Sequence, residues 1–220
     1  MSDKKNEFIE YYNQYRDKVK EFKNLKSKYI FILESPHIDE INKGYVACGD
    51  SGKSMSKLLG LGDKKSLGDL LNEKKIHDIS VLNVSRVPLQ AIGNKKIIRK
   101  ERKIKVSKSV IEQIEKLREK YTKNNEAKFN KFSEGNLNEF EEYLLNDFKE
   151  RIEKLVGDDG NKVIIVCGNF AKVYFNQIEK GLNYREVLYV PHPSRNQWTN
   201  YINAKPGMDK LLEEFKVGLS

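Results

Sequence analysis

The sequence predicts an α/β domain with three layers, in which helices cover both faces of a four-stranded, mostly parallel sheet. Four short apolar runs have the composition of strands that are buried on both faces. Segments with helical spacing of apolar residues lie between these runs, and this alternation is typical of a parallel sheet. A length of 220 residues suits a single domain with one core and an extension or insertion.

The elements follow from the apolar spacing in chain order. Residues 6–25 carry apolar side chains at helical intervals, which predicts an amphipathic N-terminal helix. The predicted strands are 28–34, 78–84, 162–168 and 185–191. The other predicted helices are 52–60, 66–73 beginning at Ser66, 169–181 ending at Gly181, and 206–217.

Residues 94–156 break this alternation of strands and helices. The segment opens with a basic run, which contains Lys95, Lys96, Arg99, Lys100, Arg102, Lys103, Lys105 and Lys108. It closes with the amphipathic stretch 137–156. We interpret it as a basic helical insertion between the second and third strands, with a loop near 122–137.

Composition and charge exclude several classes of protein. No apolar run approaches the ~20 residues that span a bilayer, and the N-terminal residues lack the apolar core of a secretory signal. Two cysteines are too few for a disulfide framework or a four-cysteine cluster, so we expect a cytoplasmic protein. The net charge of +9 favours polyanionic partners, although a solvated surface rich in lysine has the same composition.

Polar side chains follow the ends of three predicted strands. Glu34 ends the first strand, Asn83 lies at the end of the second, and His192 follows the fourth. Because the carboxyl ends of parallel strands meet at one edge, we expect an acid, an amide and an imidazole to lie there together. Such groups suit a site that reads a flat base and cleaves its bond to a sugar. Each residue also has a structural explanation as a helix cap, a partner of loop amides or a packed histidine.

These segments resemble the motifs of the uracil-DNA glycosylase superfamily. The family's first strand ends in a Gly-Glu-Ala-Pro-Gly type of motif, and LESPH (33–37) stands in that place. CGDSGKSMSKLL (48–59) resembles its Gly-x-x-Gly-x-x-Leu-Leu run, and VLNVSRVP (81–88) its strand with a base-reading asparagine. VPHPSRNQW (190–198) resembles its closing His-Pro-Ser. The resemblance implies the uracil-DNA glycosylase-like fold, and it leaves the N-terminal helix and the insertion unexplained.

The resemblance also assigns roles to individual residues. Glu34 and Ser35 stand where the family places its motif glutamate and the residue that positions the attacking water. Asn83 matches the base-reading asparagine, and His192 matches the histidine that stabilises negative charge on the departing uracil. Pro36 and His37 complete the first motif and belong to the substrate-binding loop.

This chain departs from the family pattern at several positions. Leu33 replaces the motif glycine, and His37 is larger than the usual residue. The aromatic residue that stacks on the base falls at Ala47, so Tyr45, two positions earlier, is our candidate for that role. The two cysteines cannot hold the family's iron-sulfur cluster, and we assign no cofactor and no metal.

The segment Val46–Met55 matches a nucleotide-binding phosphate loop if alanine replaces its first glycine. Such a loop joins a strand directly to a helix, whereas the residues before Ala47 do not form an apolar strand. We therefore favour a helix N-terminus at which Gly52, Lys53 and Ser54 hold a DNA phosphate.

The closing motif adds further candidates for DNA contact. Ser194 is a candidate phosphate contact, and Arg195 stands where family members insert a side chain into the duplex. Trp198 either stacks on DNA or packs on the core, and the core is the commoner place for a lone tryptophan.

We therefore expect a monomeric hydrolase that cleaves the N-glycosidic bond of uracil or another damaged base after flipping it out of single- or double-stranded DNA. The first alternative is a nucleic-acid- or nucleotide-binding module of the same fold without this activity. The second is a protein that binds a partner through the helices of the insertion.

Overall fold

The computed structural model describes residues 3–90, 93–95, 97, 106–122, 137–194, 197–200 and 206–218. Its four strands are β1 (Tyr29–Leu33), β2 (Ile79–Asn83), β3 (Val163–Cys167) and β4 (Glu186–Val190). Every pair of neighbouring strands is parallel, in the order β2-β1-β3-β4. Each predicted strand is confirmed to within one residue at either end.

The strands form where the apolar runs predict them because β-branched residues pack well on a sheet that is covered on both faces. All five residues of β1, β2 and β3 are buried, whereas edge strand β4 is partly exposed. The register pairs Leu33 with Asn83 and Cys167 with Val190, so the four carboxyl ends lie at one edge.

Nine α-helices lie within the described residues. They are α1 (Asp3–Tyr15), α2 (Ile38–Lys43), α3 (Asp50–Leu58), α4 (Leu67–Asn72), α5 (Lys108–Thr122), α6 (Glu139–Val156), α7 (Gly168–Ile178), α8 (Gln197–Asn200) and α9 (Pro206–Gly218). Helix α4 begins directly after Ser66, within one residue of the predicted start, and the Ser66 side chain caps it by accepting the Asp69 N–H at 3.1 Å.

The helices form two layers around the sheet. Parallel strands joined by right-handed crossovers place α2–α4 on one face and α5–α7 on the other, because β1 to β2 and β3 to β4 progress in opposite directions. Helices α8 and α9 join the first layer, since the rings of Trp198 and Phe215 lie 6.2 Å and 6.0 Å from that of Phe31 on β1. The arrangement is the predicted three-layer α/β/α fold.

The N-terminal helix is shorter than predicted. It ends at Tyr15, and the chain then runs along the open edge of β2. There the N–H of Phe22 donates to the carbonyl of Val81 at 3.0 Å, and the N–H of Val81 donates back at 2.8 Å. Val19 and Phe22 are buried, as the apolar spacing required, but in an edge segment and not in a helix.

Helices α5 and α6 belong to the core of the domain. Their buried side chains include Ile114, Leu117, Phe148 and Ile152, and these join the same apolar cluster as the sheet. The predicted insertion is therefore part of one helix layer, and most of its basic run and its loop (123–136) lie outside the described residues. No helix among the described residues is long and apolar enough to cross a membrane.

Candidate active site

The candidate site lies at the carboxyl edge of the sheet. Glu34 follows β1, Asn83 ends β2, and His192 lies two residues beyond β4. Asn83 is in register with Leu33, so the alternation of side chains directs it toward the α8–α9 layer and Glu34 toward the α5 layer. The two side chains therefore flank the edge from opposite sides.

The amide of Asn83 is buried and carries no hydrogen bond within the described structure. The residue is 1% exposed, and neither its Oδ1 nor its Nδ2 has a partner there. Buried polar side chains nearly always form hydrogen bonds. The unpaired amide of Asn83 therefore indicates a binding position for a ligand or water that offers a donor beside an acceptor. Asparagine makes such a paired contact with the edge of a nucleobase.

The backbone of Asn83 is held by a buried ion pair. Its N–H donates to Oε1 of Glu21 at 3.0 Å, and its carbonyl accepts from Nη1 of Arg151 at 2.8 Å. The same guanidinium donates to Glu21 at 2.6 Å and to the carbonyl of Val84 at 2.7 Å. The Glu21–Arg151 pair thus fixes the peptide groups around Asn83 and leaves its side chain unconstrained by hydrogen bonds in the described structure.

The contacts of His192 define its tautomer. The backbone N–H of Ser194 lies 3.2 Å from Nδ1, and the Ser194 hydroxyl lies 3.0 Å from the same atom. Because a backbone N–H can only donate, Nδ1 must accept and the neutral ring carries its proton on Nε2. Burial lowers the pKa of the imidazole, with Arg118 and His37 acting in the same direction and Glu34 opposing them. The ring is thus a neutral donor through Nε2.

Gly168 allows His192 to pack closely against the end of β3. Gly168 begins α7 with a φ of +87°, and a β-carbon there would lie 2.9 Å from the β-carbon of His192. The position requires both the left-handed backbone and the missing side chain. The backbone of the third strand end thereby forms the wall behind the imidazole.

The Glu34 carboxylate is paired with a residue of the predicted insertion. Oε1 accepts from Nε of Arg118, on α5, at 2.5 Å. The carboxylate side chain is 10% exposed and the arginine side chain 30% exposed, so the pair lies at the boundary between core and solvent. The structure therefore brings Glu34, Arg118 and His37 within electrostatic reach of His192.

The chain matches no known protein-family model, no curated protein and no solved structure.

The loop after Glu34 is organised by a second buried carboxylate. Glu40 accepts the backbone N–H of His37 at 2.8 Å and that of Ala47 at 2.5 Å. Burial raises the pKa of this carboxyl to about 7. Pro36 is buried, the side chain of His37 is exposed, and the Ser35 hydroxyl accepts the N–H of Leu89 at 3.4 Å. The 35–37 loop thus lies next to the site with Ser35 directed toward the segment after β2.

The phosphate-loop pattern has a packing explanation. A β-carbon on Gly52 would lie 1.8 Å from the carbonyl oxygen of Ala47, so Gly52 allows α3 to approach the chain closely. Ser54 Oγ is buried, whereas Lys53 is exposed. Acidic side chains lie at this end of α3, because Asp50 is in its first turn and Asp39 contacts Gly49. The packing gives Gly52 a structural role, and the phosphate contact by Gly52, Lys53 and Ser54 stays a prediction, with Lys53 the exposed member of the group.

The structure excludes a nucleotide-hydrolase phosphate loop at Val46–Met55, because such a loop must follow a strand directly. The residues before Ala47 form α2 and a turn, with Gly44 in the left-handed conformation. A strand does not lead into this loop, so the backbone lacks the strand-loop-helix path that cradles a triphosphate.

Tyr45 is bound at the outer side of β2. Its hydroxyl donates to Asp69 at 2.6 Å, and its ring meets that of Phe22 edge-on. Neither of these contacts involves Asn83 or His192, and the stacking of Tyr45 on a base stays a prediction. Trp198 is fully buried, and its Nε1 donates to the carbonyl of Pro191 at 2.7 Å, which confirms its packing role. Arg195 lies outside the described residues.

Other chemistry is limited in the part of the chain that the structure describes. No group of three His, Cys, Asp or Glu side chains there is arranged to hold a metal ion. Burial raises the pKa of the Cys48 thiol to about 12, and burial raises that of Cys167 also. A surface cavity of about 440 Å³ beside Arg86 and Arg151 has charged walls of both signs and lies on the outer side of β2.

Three features of the candidate site escaped sequence reasoning. Arg118 and the Glu21–Arg151 pair reach the strand ends from far away in the chain, and no local pattern marks them. Ser194 was predicted to contact DNA, whereas its described contacts orient His192. A polar residue two positions after a histidine was the one signal available for that role.

Proposed function

We propose that the protein is a DNA glycosylase-like hydrolase, which flips a base from DNA and cleaves its N-glycosidic bond. Uracil and other deaminated bases are the substrates of choice. The unpaired, buried amide of Asn83 is the observation that carries the proposal, because it is built to receive a planar partner with a donor and an acceptor side by side.

The spacing of the sheet suits a single base. Strands β2 and β4 are three positions apart in the sheet, so their backbones are separated by about 14 Å. A base between Asn83 and His192 would be read by the amide on one side and meet the imidazole on the other.

The His192 imidazole is suited to stabilise negative charge on the departing base. Cleavage leaves negative charge on a carbonyl oxygen of the base, and a preorganised donor aimed at that oxygen lowers the barrier. The Ser194 contacts leave the imidazole neutral with its proton on Nε2, which is a donor that needs no prior protonation. Because burial lowers the pKa of the ring, it stays neutral at physiological pH.

The Glu34 carboxylate is suited to stabilise positive charge on the sugar. The sugar develops positive charge as the bond breaks, and a carboxylate below it stabilises that charge and orients the attacking water. The hydrogen bond to Arg118 holds the carboxylate at the end of β1. Ser35, the next residue, is placed in our proposal beside the water.

Cleavage assays on oligonucleotides test the proposal. The substrates are single-stranded and mismatched DNA with uracil, hypoxanthine or xanthine, and product is measured after alkaline cleavage of abasic sites. We expect Asn83→Ala to lower the rate by about 10- to 150-fold, the value of one paired base contact. We expect His192→Ala to lower it by about 10²- to 10³-fold through loss of the donor.

Exposed residues of the same types supply matched controls. Asn72→Ala and His77→Ala remove an asparagine and a histidine from the surface, and we expect both variants to retain the wild-type rate. Equal losses in Asn83→Ala and Asn72→Ala would contradict the proposed reading of the base.

A binding module of the same fold is the second candidate. The Glu34–Arg118 pair favours it, because a carboxylate already engaged by a guanidinium has less capacity to orient water. Binding of oligonucleotides that weakens with salt and with Asn83→Ala, without cleavage of any substrate, would select this candidate.

A further inference from the structure

The ion pair at the end of β1 links the insertion to the candidate site. Arg118 lies 84 positions after Glu34 in the chain, on a helix that the family resemblance does not account for. Its neighbours fix that helix: Leu117 and Tyr121 are buried, and the Tyr121 ring packs against the rings of Phe170 and Tyr174 on α7. The guanidinium is therefore carried by a packed element and not by a loose loop.

Charged groups from three elements act on His192. Glu34 acts from the end of β1, Arg118 from α5, and His37 from the start of α2. Glu34 on its own would favour the imidazolium form, since an anion stabilises a nearby cation. The Nε atom of Arg118 lies 2.5 Å from Oε1 of Glu34, and the positive charge of the guanidinium opposes the effect of the carboxylate on the imidazole.

We propose that Arg118 is a positioning residue of this site: it fixes the Glu34 carboxylate at the end of β1 and balances its charge, so that His192 faces a neutral ion pair. The neutral imidazole is thereby kept as a donor even though a carboxylate stands beside it. The catalytic consequence rests on the proposed function, whereas the effect on His192 does not.

The direct test is an NMR titration of the histidine side chains. The chain has three histidines, and His37→Gln and His77→Gln assign the resonances of the third. In Arg118→Gln we expect the pKa of His192 to rise by about half a unit or more, because the Glu34 charge is no longer balanced. In Glu34→Gln we expect it to fall, and in the double variant to return toward the wild-type value.

Two further variants separate charge from structure. Lys116→Gln removes an exposed cation from the same helix and should leave the titration unchanged. Arg118→Lys keeps the charge without the guanidinium and should keep the pKa of His192 within about 0.3 units of wild type, even if Arg118→Gln is poorly folded. An unchanged His192 titration in folded Arg118→Gln, or equal shifts in Arg118→Gln and Lys116→Gln, would overturn the proposal.

The activity assay then distinguishes the two proposals. If a DNA substrate is cleaved, the acidic limb of the pH–rate profile should move to higher pH in Arg118→Gln and stay in place in Lys116→Gln. A shifted titration with no cleavage of any substrate supports the role of Arg118 and removes the glycosylase assignment. Cleavage with an unshifted titration in Arg118→Gln retains the glycosylase and removes the role of Arg118.

Discussion

Replacement of Arg151 by methionine tests the hydrogen-bonded network behind Asn83. The arginine side chain is 8% exposed and donates to the carboxylates of Glu21 and Asp147 and to three backbone carbonyls. Methionine fills a similar volume but leaves the Glu21 carboxylate, 3% exposed, without its principal countercharge. Removal of one partner from a buried ion pair costs about 3–5 kcal/mol, so we expect Arg151→Met to lower the free energy of unfolding by that amount.

A double variant separates the cost of the unpaired Glu21 carboxylate from the cost of the lost packing of Arg151. Glu21→Gln added to Arg151→Met removes the buried carboxylate, and we expect it to restore about 2 kcal/mol of the loss. Lys154→Met is the matched control on the same helix. The Lys154 side chain is 73% exposed and pairs with Glu150 at 2.6 Å, so its loss should cost less than about 0.5 kcal/mol.

Urea unfolding followed by circular dichroism measures these differences as shifts of the midpoint at constant slope. A cost below about 1 kcal/mol for Arg151→Met, or one equal to that of Lys154→Met, would show that the network does not hold the end of β2. A fully additive double variant would show that Glu21 and Arg151 are not coupled.

Three further substitutions test local features of the fold. Gly168→Ala should lose more stability than Gly157→Ala in thermal unfolding, because both have positive φ but only the first would place a β-carbon 2.9 Å from that of the site histidine. Alanine favours helices, but the β-carbon of Gly52→Ala would overlap the carbonyl oxygen of Ala47. We therefore expect this variant to lose more than about 1 kcal/mol of unfolding free energy, measured by urea unfolding. A gain in stability would contradict this packing. The pKa of Glu40, raised to about 7, lies above its unfolded value. Its contribution is therefore present at low pH and lost as the pH rises through 7, and Glu40→Gln should flatten the fall in unfolding free energy between about pH 5 and 8.

The strands and the cap of α4 were predictable from the sequence because their signals are local. A run such as Val163–Cys167 is apolar at every position, which suits a strand covered on both faces. Ser66 carries its own capping interaction with Asp69, three residues later. Neither signal needs information from elsewhere in the chain.

The N-terminal segment shows where such signals fail. Val19 and Phe22 fit the helical spacing of residues 6–25, and burial of both is correct. The helix ends at Tyr15 because the edge of β2 offers Phe22 backbone partners on Val81. A competing strand that lies about 60 residues away is invisible to a local pattern.

The sequence by itself determined the positions of the four strands and most helices, and it placed Glu34, Asn83 and His192 at strand ends. Tertiary structure alone decided that Arg118 pairs with Glu34 and that Arg151 holds the backbone of Asn83. It also gave the phosphate-like motif at Gly52 a packing role. The physical reason is that the spacing of apolar residues along a short segment predicts which of its side chains are buried. The pairing of buried charges depends instead on which distant elements the fold brings into contact.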